Sequence, residues 1–116
     1  MDTDLKQITG RCHCGQLKYE AQGPIVKSST CHCAGCSRAT GTFEVPFVSV
    51  LRKSFRIAEG ELSEFRAGDG EACDAHGSWH FCPECGTHIF WKGFEGEELD
   101  LFAGTLDDPS LFSPAS

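Results

Sequence analysis

The chain has 116 residues, with 17 acidic against 10 basic side chains and a formal net charge of -7. That length suits a single domain with a modest core, and the acidic balance argues against nucleic acid, whose phosphates require a basic stripe. No stretch approaches the roughly 18 apolar residues of a membrane-spanning helix.

Residues 1–10 hold neither a basic n-region nor an apolar h-region, so no secretory leader is expected and the chain reads as cytoplasmic. Leu17, Tyr19 and Ala21 alternate with Gln16, Lys18 and Glu20, the pattern of a strand with one buried face. Residues 25–29 read as a strand, and residues 34–40 as a short helix ended by Gly41. Residues 43–51 are rich in Phe and Val but interrupted by Pro46, which predicts an edge or bulged strand. The short basic stretch 51–56 reads as a solvated strand edge. Further strands are expected over 54–57, 63–65, 78–81, 88–91 and 99–103, with 13 glycines as punctuation. Residues 67–77 have almost no apolar patterning and read as a mobile exposed loop, and residues 107–116 as a tail that frays. The expected organisation is one domain over 1–116, with its core at about 8–107.

Every cysteine except Cys73 lies in one of three clusters: Cys12-His13-Cys14-Gly15, Cys31-His32-Cys33-Ala34-Gly35-Cys36 and Cys82-Pro83-Glu84-Cys85-Gly86. A structural zinc takes four such ligands, whereas a chemical one takes three and keeps a position open. Cys12 with Cys14, and Cys82 with Cys85, are short knuckles that each need a partner from elsewhere in the chain. Together they complete a four-cysteine zinc site. Cys31, Cys33 and Cys36 form a compact trio, expected to hold a second zinc of catalytic type. A disulfide framework is the competing reading. It suits neither a reducing compartment nor cysteines set too close to bridge comfortably, and Cys-x-Cys spacing is unusual for iron–sulfur ligation.

Around the trio, Arg38 is the first choice of cation for an anionic ligand, with Arg52, Lys53 and Lys92 behind it; surface solubility is the plain alternative for each. His13 and His32 sit between ligating cysteines, where the middle side chain turns away from a metal, although His32 remains a possible donor or proton shuttle. His76 and His80 stay open between a fourth ligand or general base and an exposed or core role. His88 reads as structural. Acidic surroundings argue against a reactive Cys73. Of Phe81, Phe90, Trp91 and Phe94 most read as core, with Trp91 or Phe94 available to wall a ligand pocket.

The ordered motifs Gly10-Arg11-Cys12-His13-Cys14-Gly15, Cys31-His32-Cys33-Ala34-Gly35-Cys36-Ser37-Arg38 and Phe81-Cys82-Pro83-Glu84-Cys85-Gly86-Thr87 resemble those of the glutathione-dependent formaldehyde-activating enzyme family, which includes centromere protein V. The resemblance covers roughly residues 8–107. It implies a mainly β, antiparallel β-tent domain stapled by a structural zinc on Cys12, Cys14, Cys82 and Cys85, with a catalytic-type zinc on Cys31, Cys33 and Cys36. It also implies a carbon–sulfur lyase acting on the adduct of formaldehyde and the glutathione thiol, hence small thiols and aldehydes as partners. A non-catalytic zinc module that binds a protein partner is the alternative. Nothing in the pattern sets an oligomeric state.

Overall fold

The computed structural model describes residues 7–68 and 72–113, apart from the side chains of residues 72 and 73. In chain order the elements are β1 (Gln7–Arg11), β2 (Lys18–Gln22), β3 (Lys27–Cys31), α1 (Ala34–Thr40), β4 (Val45–Leu51), β5 (Phe55–Glu59), β6 (Ser63–Phe65), α2 (Ala72–His76), β7 (Gly77–Phe81), β8 (His88–Gly93) and β9 (Glu98–Phe102). Tight 3-10 turns follow at Arg52–Ser54, Ala103–Thr105 and Pro109–Leu111. The strands form a three-stranded sheet, β1-β2-β5, and a six-stranded sheet, β3-β4-β9-β8-β7-β6. Every pairing is antiparallel, so the protein is mainly β as expected.

Because successive side chains on a strand point to opposite faces, the register decides what each face of the larger sheet carries. Ser28, Val48, Leu101, Phe90, His80 and Glu64 pair in turn across its six strands. This row meets the three-stranded sheet: Val48, Phe90 and Leu101 share the main core with Ile8, Leu17, Tyr19 and Ala21, and Phe55 meets Phe90 edge to face at 5.1 Å. Leu17, Tyr19 and Ala21 are all buried, as their alternation predicts. On the opposite face the row is Lys27, Ser49, Asp100, Trp91, Trp79 and Phe65. There a second cluster joins Val45, Phe47, Trp79 and Phe102 to Cys36, with Cys31, Cys33 and Trp91 against it.

Four expectations are changed. β1 carries a single large apolar residue, Ile8, and owes its extended form to pairing with β2 rather than to its own pattern. β4 lies inside its sheet, between β3 and β9, so the edge-strand reading of residues 43–51 is overturned. Pro46 is tolerated because the β9 ladder begins one residue later, at Phe47. The segment read as a mobile loop holds the helical turn α2, while residues 69–71 lie outside the described part. In the tail, Leu111 and Phe112 pack against the main core and Ser113 N–H donates to Ser28 Oγ at 3.2 Å; residues 114–116 are outside the described part. No helix among the described residues is long and apolar enough to cross a membrane.

Candidate metal centres

Each knuckle is a tight turn between strands, closed by a glycine in the left-handed region that other residues avoid. Gly15 (φ 85°) donates its N–H to Cys12 O at 3.2 Å, and Gly86 (φ 82°) to Cys82 O at 2.8 Å. The β1–β2 and β7–β8 turns thereby meet and bring the sulfurs of Cys12, Cys14, Cys82 and Cys85 within 4.8 Å of one another. Cys14 Sγ lies 3.6 Å from Cys12 Sγ and 3.8 Å from Cys82 Sγ. A tetrahedral ion with bonds of about 2.3 Å to sulfur holds its ligands about 3.8 Å apart, so the spacing fits zinc.

The surroundings suit thiolates. Leu17 N–H donates to Cys12 Sγ (3.4 Å), Cys14 N–H to Cys85 Sγ (3.4 Å), and both Glu84 N–H and the Gln16 amide to Cys82 Sγ (3.3 Å each). The Thr87 side chain, above all, draws the Cys85 thiol down to about 5. Cys14 goes the other way: although the Gln16 amide favours its thiolate, desolvation and its neighbours Cys12, Cys85 and Cys82 push it up to about 12. Four thiolates this close cannot coexist unless a cation neutralises them.

The trio is local. Cys31 closes β3, Cys33 caps α1 by accepting from Cys36 N–H at 3.4 Å, and Cys36 lies one turn along the helix. Gly41 (φ 79°) ends α1 as expected, its N–H donating to Ser37 O at 2.7 Å. The three sulfurs fall within 4.8 Å of one another, with Cys31 and Cys33 Sγ 3.5 Å apart. Cys33 is disulfide-bonded, so the trio offers three thiolates only when that bond is reduced. Burial, followed by the nearby Cys31, pushes the Cys36 thiol up to about 12. An orphaned donor lies beside it: Trp79 is 1% exposed, and its Nε1 has no hydrogen-bond partner among the described residues. A buried donor left unmatched costs roughly 1–3 kcal/mol. Cys36 shares its buried cluster, and as a thiolate would be an acceptor suited to this donor.

Two cavities flank these tryptophans. One of about 620 Å³ is lined by Lys27, His76, Trp91, Phe94 and Asp100, together with the β8–β9 turn. The other, about 450 Å³ and mostly apolar, is lined by Gly35, Arg38, Phe65, Trp79 and His88. Both fall within the range of small-molecule sites. Trp91 and Phe94 do wall a pocket, as the sequence allowed.

Asp100 was not singled out from the sequence. Ser49 Oγ, fully buried, donates to its Oδ1 at 2.6 Å. Burial raises the Asp100 pKa while Ser49 pulls it back, and its charge acts on Cys36. The available signal was a lone acid between Leu99 and Leu101, which alternation sends to the face opposite the main core.

Other candidates fall away from the trio. His80 stacks on Phe90 at 4.4 Å and pairs with Ser78 Oγ at 2.9 Å on the main-core face, so it supplies neither a fourth ligand nor a base there. Arg52 is engaged with the carbonyls of Gly93 and Glu98, a structural role. His13 and His32 are exposed and outside both sulfur clusters; His32 Nε2 lies 3.1 Å from Thr30 Oγ1. Lys92 pairs with Ser78 and Leu99, one residue out of step with Trp91, and so faces away from the trio. His88 stacks on Phe81. The side chain of Cys73 lies outside the described part.

An antiparallel β domain whose knuckles can clasp one metal, with a separate three-cysteine cluster on a cavity-bearing sheet face, is the class this fold and site define. The glutathione-dependent formaldehyde-activating enzyme family model matches residues 7–116, and the chain belongs to that family. Among curated proteins none matches. Among solved structures, a Rhodobacter sphaeroides protein determined as a structural-genomics target is similar in fold: the TM-score is 0.66 at 20% identity, covering 85% of this chain and 87% of that one.

Proposed function

We propose that the protein is a zinc-dependent carbon–sulfur lyase that makes and breaks the adduct between a small thiol, glutathione first among them, and formaldehyde. The observation that carries this reading is the trio itself: three cysteine sulfurs within 4.8 Å of one another, on the sheet face that carries both cavities. Zinc bound there would supply a soft Lewis-acid position suited to sulfur as its fourth ligand. The four-cysteine site, with no such open position, is assigned to structure.

The chain's own groups divide the remaining work. Arg38, exposed at the rim of the apolar cavity, offers a cation for a ligand carboxylate, which an acidic protein must supply locally. Trp79 and Phe65 wall that cavity and limit water. Asp100, whose carboxyl is shifted by burial toward the neutral form, is the group offered to pass a proton to the aldehyde oxygen as the carbon–sulfur bond forms and to take it back in the reverse direction.

Calorimetric titration of reduced, zinc-loaded protein with glutathione, beside Cys36→Ser, tests this reading. The expected result is binding that disappears in the variant, accompanied by turnover of the formaldehyde adduct in the wild type. Equal binding by both proteins, or none by either, would count against it and bring forward the non-catalytic zinc module.

A further inference from the structure

The mechanism above asks nothing of Trp79 beyond a cavity wall, yet its indole is placed with more constraint than a wall requires. It is 1% exposed, and its ring packs in the cluster that contains Cys36, itself 3% exposed. The cross-strand row sets Trp79 between Phe65 and Trp91, with the Phe65 ring centroid at 6.3 Å. From the helix side Gly35 leaves room for it: a Cβ there would stand 3.1 Å from the ring tip. Clamped in this way, the side chain has no freedom to seek another acceptor. Its Nε1–H, which can only donate, is buried without a partner among the described residues. A phenylalanine would fill much of the same apolar space with no orphaned donor, so packing alone does not require the indole N–H. An N–H already donates to a sulfur elsewhere in the trio: Cys36 N–H to Cys33 Sγ.

We propose that Trp79 is a positioning residue of the trio, whose indole N–H donates to the Sγ of Cys36 when the reduced trio holds a metal. The bond fixes the Cys36 rotamer and takes up part of the thiolate's charge, leaving the metal more electrophilic toward an incoming thiol. Groups that orient or polarise a ligating side chain in this way commonly change metal affinity by 10–100-fold when removed. The inference rests on the trio being a metal site, and does not depend on the reaction proposed for it.

The test uses the whole reduced protein loaded with cadmium-113 at both centres. In the wild type, the Trp79 indole proton is expected to shift on metal loading and to show scalar coupling to cadmium through the Cys36 sulfur. In Trp79→Phe, which keeps an aromatic ring but removes the N–H donor, competition with a chelator is expected to show the trio's zinc affinity reduced by about tenfold or more, while the four-cysteine site is unchanged and serves as the internal control. An indole proton that neither shifts nor couples overturns the proposal without reference to any variant. So does an unchanged trio affinity in Trp79→Phe, or a reduced trio that takes no cadmium.

Discussion

Asp100 sits between two buried leucines, yet its carboxyl turns to the opposite face of the sheet, where Ser49 Oγ holds one oxygen at 2.6 Å. An acid so placed can exchange a proton with a small substrate, because burial favours its neutral form. Replacing it by Asn keeps size and the Ser49 contact but removes the titrating proton. Steady-state assay of Asp100→Asn should show turnover reduced by about 100-fold or more, with calorimetric affinity for glutathione nearly intact. A second residue makes a prediction about pH. Burial lowers the His80 pKa to about 4, so in the unfolded chain, where it titrates near 6.5, it binds a proton that the folded state refuses. Its contribution is therefore complete above about pH 6.5 and lost as pH falls toward 4, with an upper bound of about 3 kcal/mol. Urea unfolding of wild type and His80→Gln across that window should give a stability difference that narrows with acid, since metal release is common to both.

The elements divide the two centres by kind. The trio is carried by the end of β3 and the first turn of α1, so its geometry is almost wholly local, while Cys33 is the member engaged in a disulfide. Metal counting after dialysis against excess zinc should find the trio filled only when reductant is present, with the four-cysteine site filled in either case. Local signatures were also what made much of the molecule legible from sequence: each knuckle announces itself by two cysteines with one or two residues between them and a following glycine, and Ala34–Thr40 by its cap at Gly41. What stayed hidden was the cross-strand row. Lys27, Ser49, Asp100, Trp91 and Trp79 come from β3, β4, β9, β8 and β7, and no pattern within one segment encodes that adjacency. β1 escaped for the same reason, being a strand because β2 lies beside it. Pro46 misled because its effect depends on where the neighbouring strand begins.

In the whole molecule one six-stranded sheet serves two masters, with the hydrophobic core and the buried sulfurs of Cys12 and Cys82 on one side and the trio on the other. The knuckles join the turn after β1 to the turn after β7, so a metal there would tie the small sheet to the large one. Metal binding at structural sites of this type is worth on the order of 10 kcal/mol, comparable with the entire stability of a small domain. Thermal denaturation followed by circular dichroism should therefore lose its cooperative transition in Cys82→Ser, whereas Cys31→Ser should keep one within a few degrees of the wild type.

The separation of the ligands along the chain also orders events in time. Cys14 and Cys82 are 68 residues apart, whereas the trio spans residues 31–36. Closing the longer loop costs about 2 kcal/mol more in chain entropy. On the ribosome the difference is larger still, because Cys82 and Cys85 do not yet exist when Cys36 emerges. A growing chain thus carries a complete trio of ligands, able to compete for metal, well before the clasp that makes the domain a folded one can close.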